Sequence, residues 1–170
     1  MARINRGRWT ADAGADGKVL FLIGMRINQL WKVWAWLPVF VAMPRMLVEL
    51  QKNRGLGLVG TPRTMLSGRV VTVWQYWESF DKLNAYARSA DNSHLPAWRA
   101  FNRRIRDNGT VGIFHETVLL SDDRVETVYG NMPVFGLGAV TGTVPASKRG
   151  QTSTARLRGA DPDEPTVDPY

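Results

Sequence analysis

Residues 18–27 read K-V-L-F-L-I-G-M-R-I, a continuous apolar run of strand length that follows the turn-forming segment D-A-G-A-D-G. Uninterrupted apolar runs of this length are typical of strands that are buried on both faces. A second run, V-V-T-V-W-Q-Y-W at residues 70–77, is rich in β-branched and aromatic residues and predicts another such strand. Both faces of the predicted sheet therefore need to be covered.

The remaining patterns set the order of the elements around these two strands. Apolar residues spaced by three and four between residues 31 and 53 predict a helix, with Pro38 and Pro44 expected at the starts of helical pieces. The other predicted elements are strands at residues 61–66, 111–120 and 125–129, a helix capped by Ser79, and a helix starting at Pro96. A βαββαβ order with one extra strand predicts an α+β, ferredoxin-like fold with an antiparallel sheet.

Composition along the chain predicts three regions. Residues 1–17 are expected to form an N-terminal arm, and residues 18–140 a single ferredoxin-like domain. Residues 145–170 are poor in large apolar residues and rich in Pro, Thr, Ser and Gly, which predicts a disordered tail whose deletion leaves stability nearly unchanged.

Charge and cysteine content exclude several function classes. The 170-residue chain has no Cys, which excludes thiolate chemistry and Cys-ligated metal sites. The net charge of +7 arises entirely before residue 145, and its densest cluster, Arg99 to Arg106, is expected to be a solvated helix face. Because no nucleic-acid motif accompanies this cluster, we expect no nucleic-acid partner.

The sequence gives no sign of a membrane segment. The longest uncharged run, residues 33–44, is twelve residues long and contains Pro38, whereas about 20 residues are needed to span a bilayer. No apolar run follows the N-terminal arginines as it would in a secretory signal. We therefore expect a cytoplasmic protein without a membrane partner, in which a second copy covers the free apolar face of the sheet as a homodimer.

Six stretches together resemble a known microbial family. They are F-L-I-G-M-R-I (21–27), W-L-P-V-F (36–40), Q-Y-W-E-S-F (75–80), H-L-P-A-W (94–98), G-I-F-H-E-T (112–117) and N-M-P-V-F-G-L-G (131–138). The chain is similar over residues 1–140 to a monooxygenase-like family of the dimeric α/β-barrel superfamily, which includes the antibiotic-biosynthesis monooxygenases. The resemblance implies a dimer of ferredoxin-like units, each with a pocket between its sheet and its helices, and a role in secondary metabolism.

Three residues are the candidates for catalysis. His94 precedes a predicted helix, where relatives in this superfamily often have a histidine that faces the pocket, and it could move a proton or simply cap the helix. Arg26 could hold a substrate oxygen in the space left by Gly24, or form a salt bridge with Glu116 or Glu78. Gln75 is the alternative candidate for holding the substrate oxygen.

Further residues are candidates for substrate binding, although each also has a structural explanation. The predicted set comprises Trp74, Tyr76, Trp98, His115, Glu116 and Asn131. The aromatic residues could equally belong to the core, His115 and Glu116 could be structural partners, and Asn131 could belong to an ordinary turn.

The resemblance implies a cofactor-independent monooxygenase-like enzyme that acts on an aromatic or polyketide-like, hydrophobic small molecule. We expect no metal, because two histidines without cysteine make a protein metal site improbable. The alternatives are a haem-binding protein or haem-dependent enzyme with His94 or His115 as axial ligand, a non-oxidative cyclase or isomerase, and a non-catalytic binding module.

Overall fold

The computed structural model describes residues 3–92, 94–105 and 108–158, and the chain divides into two compact units. The central unit is Val19–Leu119, and the terminal unit combines residues 1–18 with residues 120–170. In chain order the elements are β1 (Ile4–Ala11), β2 (Val19–Ile27), α1 (Val33–Lys52), a 3₁₀ turn (Arg54–Leu56), β3 (Leu58–Ser67), β4 (Val70–Trp77), α2 (Phe80–Arg88), α3 (His94–Ile105), β5 (Val111–Leu119), β6 (Tyr129–Pro133), α4 (Gly138–Thr141), β7 (Thr143–Pro145), a 3₁₀ turn (Ala146–Lys148) and α5 (Ser153–Arg158).

The central unit is a four-stranded antiparallel sheet with the strand order β3-β4-β2-β5. Strand β2 lies between β4 and β5, and its residue Ile23 pairs with Val73 of β4 on one side and with His115 of β5 on the other. The connection β2-α1-β3-β4-α2-α3-β5 with this strand order is the ferredoxin-like arrangement. The predicted α+β fold with an antiparallel sheet is confirmed.

Helix α1 runs continuously from Val33 to Lys52, with Pro38 and Pro44 inside it. The prediction that these prolines mark the starts of separate pieces is therefore wrong. An interior proline removes a backbone donor and costs about 3 kcal/mol, so packing must compensate. Ala35 and Leu50, near the two ends of the helix, are both buried in the core and hold it against the sheet.

The start of α2 agrees with the prediction, whereas α3 begins earlier. Ser79 accepts a hydrogen bond from the backbone N–H of Lys82 at 3.2 Å, which satisfies one of the free donors at the start of α2. Helix α3 begins at His94, two residues before the predicted start at Pro96. Pro96 is then in the first turn, where its missing N–H costs no helical hydrogen bond.

The helices cover one face of the central sheet, and this helix-side face contains the core. One cluster joins Val19 and Trp77 of the strands to Leu50 of α1 and Leu83 of α2. A second cluster joins Met25, Ile27 and Val111 to Ala35 of α1. Strand alternation places the remaining side chains on the opposite face, here called the open sheet face because the helices lie on the other side of the sheet. It carries Leu20, Leu22, Trp74, Tyr76, Phe114 and Glu116, of which the five apolar residues are half-buried.

The terminal unit contains a second, three-stranded antiparallel sheet with the order β6-β1-β7. The N-terminal arm predicted for residues 1–17 is thus the central strand of a small sheet. The predicted extra strand at residues 125–129 is also displaced, because the strand observed is Tyr129–Pro133 and it pairs with β1. Residues near the two chain ends pair with each other here, which local sequence patterns do not reveal.

The structure also differs from the prediction of a disordered tail from residue 145. Residues 146–158 form a 3₁₀ turn and α5, and Ala146, Ala155 and Arg156 are buried. The Arg156 side chain donates to Glu126 Oε1 at 2.5 Å and to the carbonyls of Gly150 and Gln151 at 3.1 and 2.9 Å. Small residues and one ion pair anchor this segment in place of large apolar side chains. The rest of the predicted tail, residues 159–170, lies outside the described residues.

Candidate active site

The central unit contains a large cavity between the helix-side face of the sheet and the three helices. Its volume is about 1080 Å³, enough for a multi-ring organic molecule. The wall is mostly apolar and includes members of both core clusters, such as Leu83 from the first and Val39 and Phe101 from the second. The cavity therefore interrupts the core of the central unit.

His94, at the start of α3, lines this cavity and is half-buried. Its Nδ1 lies 3.0 Å from the backbone carbonyl oxygen of Ala87 in α2. A carbonyl oxygen can only accept, so Nδ1 carries the hydrogen and Nε2 has the lone pair in the neutral ring. Within residues 3–92, 94–105 and 108–158, no hydrogen bond to Nε2 is found. The imidazole is therefore oriented through Nδ1, and Nε2 is the nitrogen with the lone pair.

Two more of the predicted site residues line the same cavity. His115 of β5 lies on the helix-side face, with its ring 5.6 Å from that of Phe21. Trp98 of α3 is 42% exposed and stacks on Phe101 with ring centroids 5.5 Å apart. The structure thus places His94, His115 and Trp98 around one cavity.

The other two predicted catalytic residues lie elsewhere. Arg26 belongs to the open sheet face, where its guanidinium donates to Asn28 Oδ1. The space expected above Gly24 is filled by the ring of Phe114, since a Cβ on Gly24 would lie 2.5 Å from Phe114 Cζ. Gln75 is 4% exposed, and its Oε1 accepts a hydrogen bond from the Trp77 indole at 3.0 Å. Neither Arg26 nor Gln75 lines the cavity.

The remaining predicted binding residues are also separated from the cavity. Trp74, Tyr76 and Glu116 point to the open sheet face, because each alternates with a residue that faces the helices. Asn131 belongs to β6 of the terminal unit, where its Oδ1 accepts a hydrogen bond from the backbone N–H of Gly7 at 3.0 Å. Asn131 has a φ of 52°, a left-handed conformation that Asn adopts more readily than most residues, at the irregularity in the pairing of β6 with β1.

The cavity wall contains polar residues that sequence reasoning missed. Asn84 of α2 lies one helical turn before Ala87, whose carbonyl orients His94, and both residues line the cavity. Arg45 of α1 and Arg103 of α3 line it as well. A signal for Asn84 exists in the sequence, because it is a polar residue beside Leu83 on the apolar stripe of a predicted helix.

Tyr86 is an aromatic neighbour of His94, at 6.0 Å between ring centroids. Burial, together with the hydrogen bond and charge of Glu49, raises the pKa of the Tyr86 phenol well above its usual value. Its O–H donates to Glu49 Oε2 at 3.0 Å. Tyr86 therefore remains a neutral structural donor at physiological pH and is not a second base.

No group of three or more His, Asp or Glu side chains that could hold a metal ion occurs within the part of the chain that the structure describes. The polar groups of the cavity wall are instead single residues that are distributed over α1, α2, α3 and β5.

An antiparallel ferredoxin-like sheet, with a large and mostly apolar cavity under its helices and a histidine in the cavity wall, places the chain among the α+β proteins of this fold. Comparison with protein families narrows this class. The chain belongs to the monooxygenase af470-like family, whose model matches residues 18–137. The predicted membership of a monooxygenase-like family is confirmed.

Individual relatives show different degrees of similarity. Monooxygenase af470 of Aspergillus fumigatus is 28% identical over 160 residues, a match that covers 81% of this chain and 55% of the relative. The chain thus spans about half the length of that curated relative. The structure of an aldoxime dehydratase (OxdRE) in complex with butyraldoxime matches this chain with a TM-score of 0.63 and 16% sequence identity. The match covers 83% of this chain and 42% of that enzyme. SnoaB, a cofactor-independent oxygenase from Streptomyces nogalater, is 11% identical with a TM-score of 0.43, over 61% of this chain and 93% of its own.

Proposed function

We propose that the chain is an oxygenase that uses the cavity of the central unit to oxidise an aromatic or polyketide-like substrate with O₂, without flavin or metal. The observation that carries this proposal is the orientation of His94, which lines the large, mostly apolar cavity and whose Nδ1 is held by the Ala87 carbonyl. Membership of the monooxygenase af470-like family supports the same reaction class.

In this reaction the protein supplies a base, an orientation and exclusion of water. His94 Nε2 accepts a proton from an acidic C–H of an electron-rich ring, and the carbanion then reduces O₂ by one electron. Recombination of the two radicals gives a peroxide anion, which takes the proton back from His94. The resulting hydroperoxide loses water to leave a carbonyl, so that CH₂ and O₂ become C=O and H₂O.

A second polar group is needed to hold the substrate oxygen while the carbanion forms. We propose Asn84 for this role in place of Arg26 and Gln75, because its amide is in the cavity wall one helical turn from the carbonyl that orients His94. A donor at this position would stabilise negative charge as it delocalises onto the substrate oxygen.

The dependence on O₂ tests the reaction class. A suitable probe is 1,8-dihydroxyanthrone, a polycyclic phenol with an acidic CH₂ group, followed by the appearance of the anthraquinone above the rate without enzyme. We expect turnover in air and none under argon. If the chain transforms the probe equally fast under argon into a product that contains no added oxygen, the cavity performs isomerase or cyclase chemistry and the oxygenase proposal is wrong.

Haem binding is the second candidate, and the same histidine supports it. An axial ligand needs a neutral imidazole with one nitrogen oriented by a hydrogen bond and the other free for iron, which is the arrangement of His94. Haem would supply redox chemistry when bound. A Soret band that forms on adding haem and is lost in His94→Gln would favour this candidate, whereas the absence of any spectral change would eliminate it.

A further inference from the structure

Helix α1 and the turn before it expose a set of large apolar residues to solvent. Trp31 and Trp34 are each 69% exposed. With them, the outer face of α1 consists of Trp31, Trp34, Leu37, Phe40, Val41 and Val48. The spacing of Trp34, Leu37, Val41 and Val48 by three, four and seven residues places these four on one side of the helix. Contiguous exposed apolar surface of this kind marks an interaction site.

This helix is suited to lie on a membrane and is not suited to cross one. Among the described residues, α1 is the one helix that is long and apolar enough to span a bilayer, and 17% of its most apolar window is buried. Its other side, however, is committed to the fold, because Ala35 and Leu50 are in the core and Glu49 accepts the Tyr86 hydrogen bond. A helix with one side packed on protein can insert only its free side into a lipid interface.

The charges around the outer face favour a negatively charged surface. Residues 30–54 contain four basic residues and one acidic residue, Glu49. Arg45, Lys52 and Arg54 are exposed, whereas the Glu49 carboxylate is half-buried and bonded to Tyr86. Aromatic residues combined with nearby lysine and arginine are typical of helices that bind anionic lipids.

The cavity also opens beside this face. Phe40 and Arg45 of α1, and Trp98 and Arg103 of α3, are exposed and at the same time line the cavity. An opening of the cavity therefore lies between α1 and α3, next to the apolar outer face. A membrane against this face would bring the opening to the lipid, from which a hydrophobic molecule could enter without passing through water.

We propose that the outer face of α1 docks the protein on the surface of an anionic membrane, with Trp31, Trp34 and Leu37 inserted among the lipids. The sequence alone predicts no membrane partner, because its longest uncharged run is too short to span a bilayer. In the cytoplasm the docked surface would be an inner leaflet, whose lipids carry negative charge. Docking does not depend on the oxygenase chemistry and can be tested separately from it.

Flotation of the full-length protein with lipid vesicles tests the proposal. We expect the protein to float with vesicles of phosphatidylcholine and phosphatidylserine at 7:3, and to do so much less with phosphatidylcholine alone. The double variant Trp34→Glu/Leu37→Glu should lose at least ten-fold in vesicle affinity. Leu66→Glu is the matched control, because Leu66 is 75% exposed on β3, outside the outer face of α1, and its change should leave vesicle binding unaltered.

Charge variants give an independent readout with little risk to folding. Arg45→Gln and Lys52→Gln should each weaken binding to the anionic vesicles by about five-fold. Arg63→Gln should have no effect, because Arg63 is exposed on β3 opposite Trp74, on the side of the sheet away from α1. The proposal is overturned if the wild-type protein does not float, or if Leu66→Glu loses binding as fully as the double variant. The wild-type protein could instead fail to bind vesicles while the Trp34→Glu/Leu37→Glu variant has half the wild-type particle mass in light scattering. In that case the outer face of α1 is an interface between two copies of the chain.

Discussion

Replacing Arg156 by alanine should loosen the segment of residues 146–158 within the terminal unit. The Arg156 guanidinium is 5% exposed and makes an ion pair with Glu126 at 2.5 Å, together with two hydrogen bonds to the backbone carbonyls of Gly150 and Gln151. The substitution leaves the Glu126 carboxylate, which is 25% exposed, without its partner. Removing one member of a buried pair costs about 3–5 kcal/mol. Because Glu126 keeps some contact with water, we expect the lower end of this range, about 3 kcal/mol.

A matched control exists in the same unit. Arg124 and Asp123 form an ion pair at 3.9 Å whose side chains are 84% and 75% exposed, so Arg124→Ala should have no measurable effect on stability. The assay is hydrogen exchange on peptides that cover residues 146–158. A loss of about 3 kcal/mol corresponds to an opening equilibrium roughly 150-fold larger. Equal protection in Arg156→Ala and Arg124→Ala would refute the conclusion that this ion pair anchors the segment.

Four other predictions follow from the packing. Deleting residues 145–170 should lower the melting temperature by several degrees, because the buried Ala146, Ala155 and Arg156 are lost with the segment, and an unchanged melting curve would contradict this. Gly24→Ala should destabilise the protein by about 1–3 kcal/mol in urea unfolding, because the added Cβ would lie 2.5 Å from both the Val71 carbonyl oxygen and the Phe114 ring. In the control variant Gly55→Ala the added Cβ has no atom within 4 Å, so this change should be tolerated. Burial raises the pKa of the Asp122 carboxyl, but backbone hydrogen bonds from Ala15 and Gly14 and the charges of Arg149 and Lys18 outweigh burial, so that the pKa is lowered overall. The stabilisation by the Asp122 carboxylate is therefore complete above the usual pKa of 3.8 and is lost as the pH falls through the native pKa. The difference in unfolding free energy between wild type and Asp122→Asn should shrink from pH 6 to pH 2, and a constant difference would argue against this linkage. Light scattering should give about twice the chain mass of 19.1 kDa if a second copy covers the open sheet face, and a constant mass near 19 kDa would exclude the homodimer.

The strands and helices of the central unit could be predicted because their signals are local. The apolar run of β2 and the β-branched run of β4 contain their own pattern, and Ser79 marks the start of α2. Alternation along β5 also places His115 and Glu116 on opposite faces correctly. The alternation pattern does not show which face of the sheet packs against the helices. Both faces of the sheet are apolar, so nothing in the sequence shows which one the helices cover.

That ambiguity explains most of the errors at the candidate site. The chemistry of their side chains predicts Arg26, Trp74 and Tyr76 at the pocket, but they share the open sheet face with Leu20 and Leu22. The space above Gly24 depends on the neighbouring strand, because register places Phe114 beside it. Sequence spacing within one strand cannot reveal such contacts.

The fold of the terminal unit could not be predicted from the sequence, for a different reason. Its sheet pairs β1 with two strands that follow more than a hundred residues later, and its tail is anchored by Arg156 and Glu126, which are 30 residues apart. Composition alone favours disorder when large apolar residues are scarce. Here buried alanines and a hydrogen-bonded ion pair replace them.

The measurement that tests the central claim most directly is the rate of O₂ uptake by His94→Gln with 1,8-dihydroxyanthrone, compared with wild type and with His115→Gln. Both histidines line the cavity, but His94 is the one whose Nδ1 is held by a backbone carbonyl. General base catalysis typically contributes a factor of about 10²–10⁴. We therefore predict at least a hundred-fold loss in His94→Gln and a much smaller loss in His115→Gln. O₂ uptake at the wild-type rate in a folded His94→Gln protein would contradict the assignment of His94 as the base.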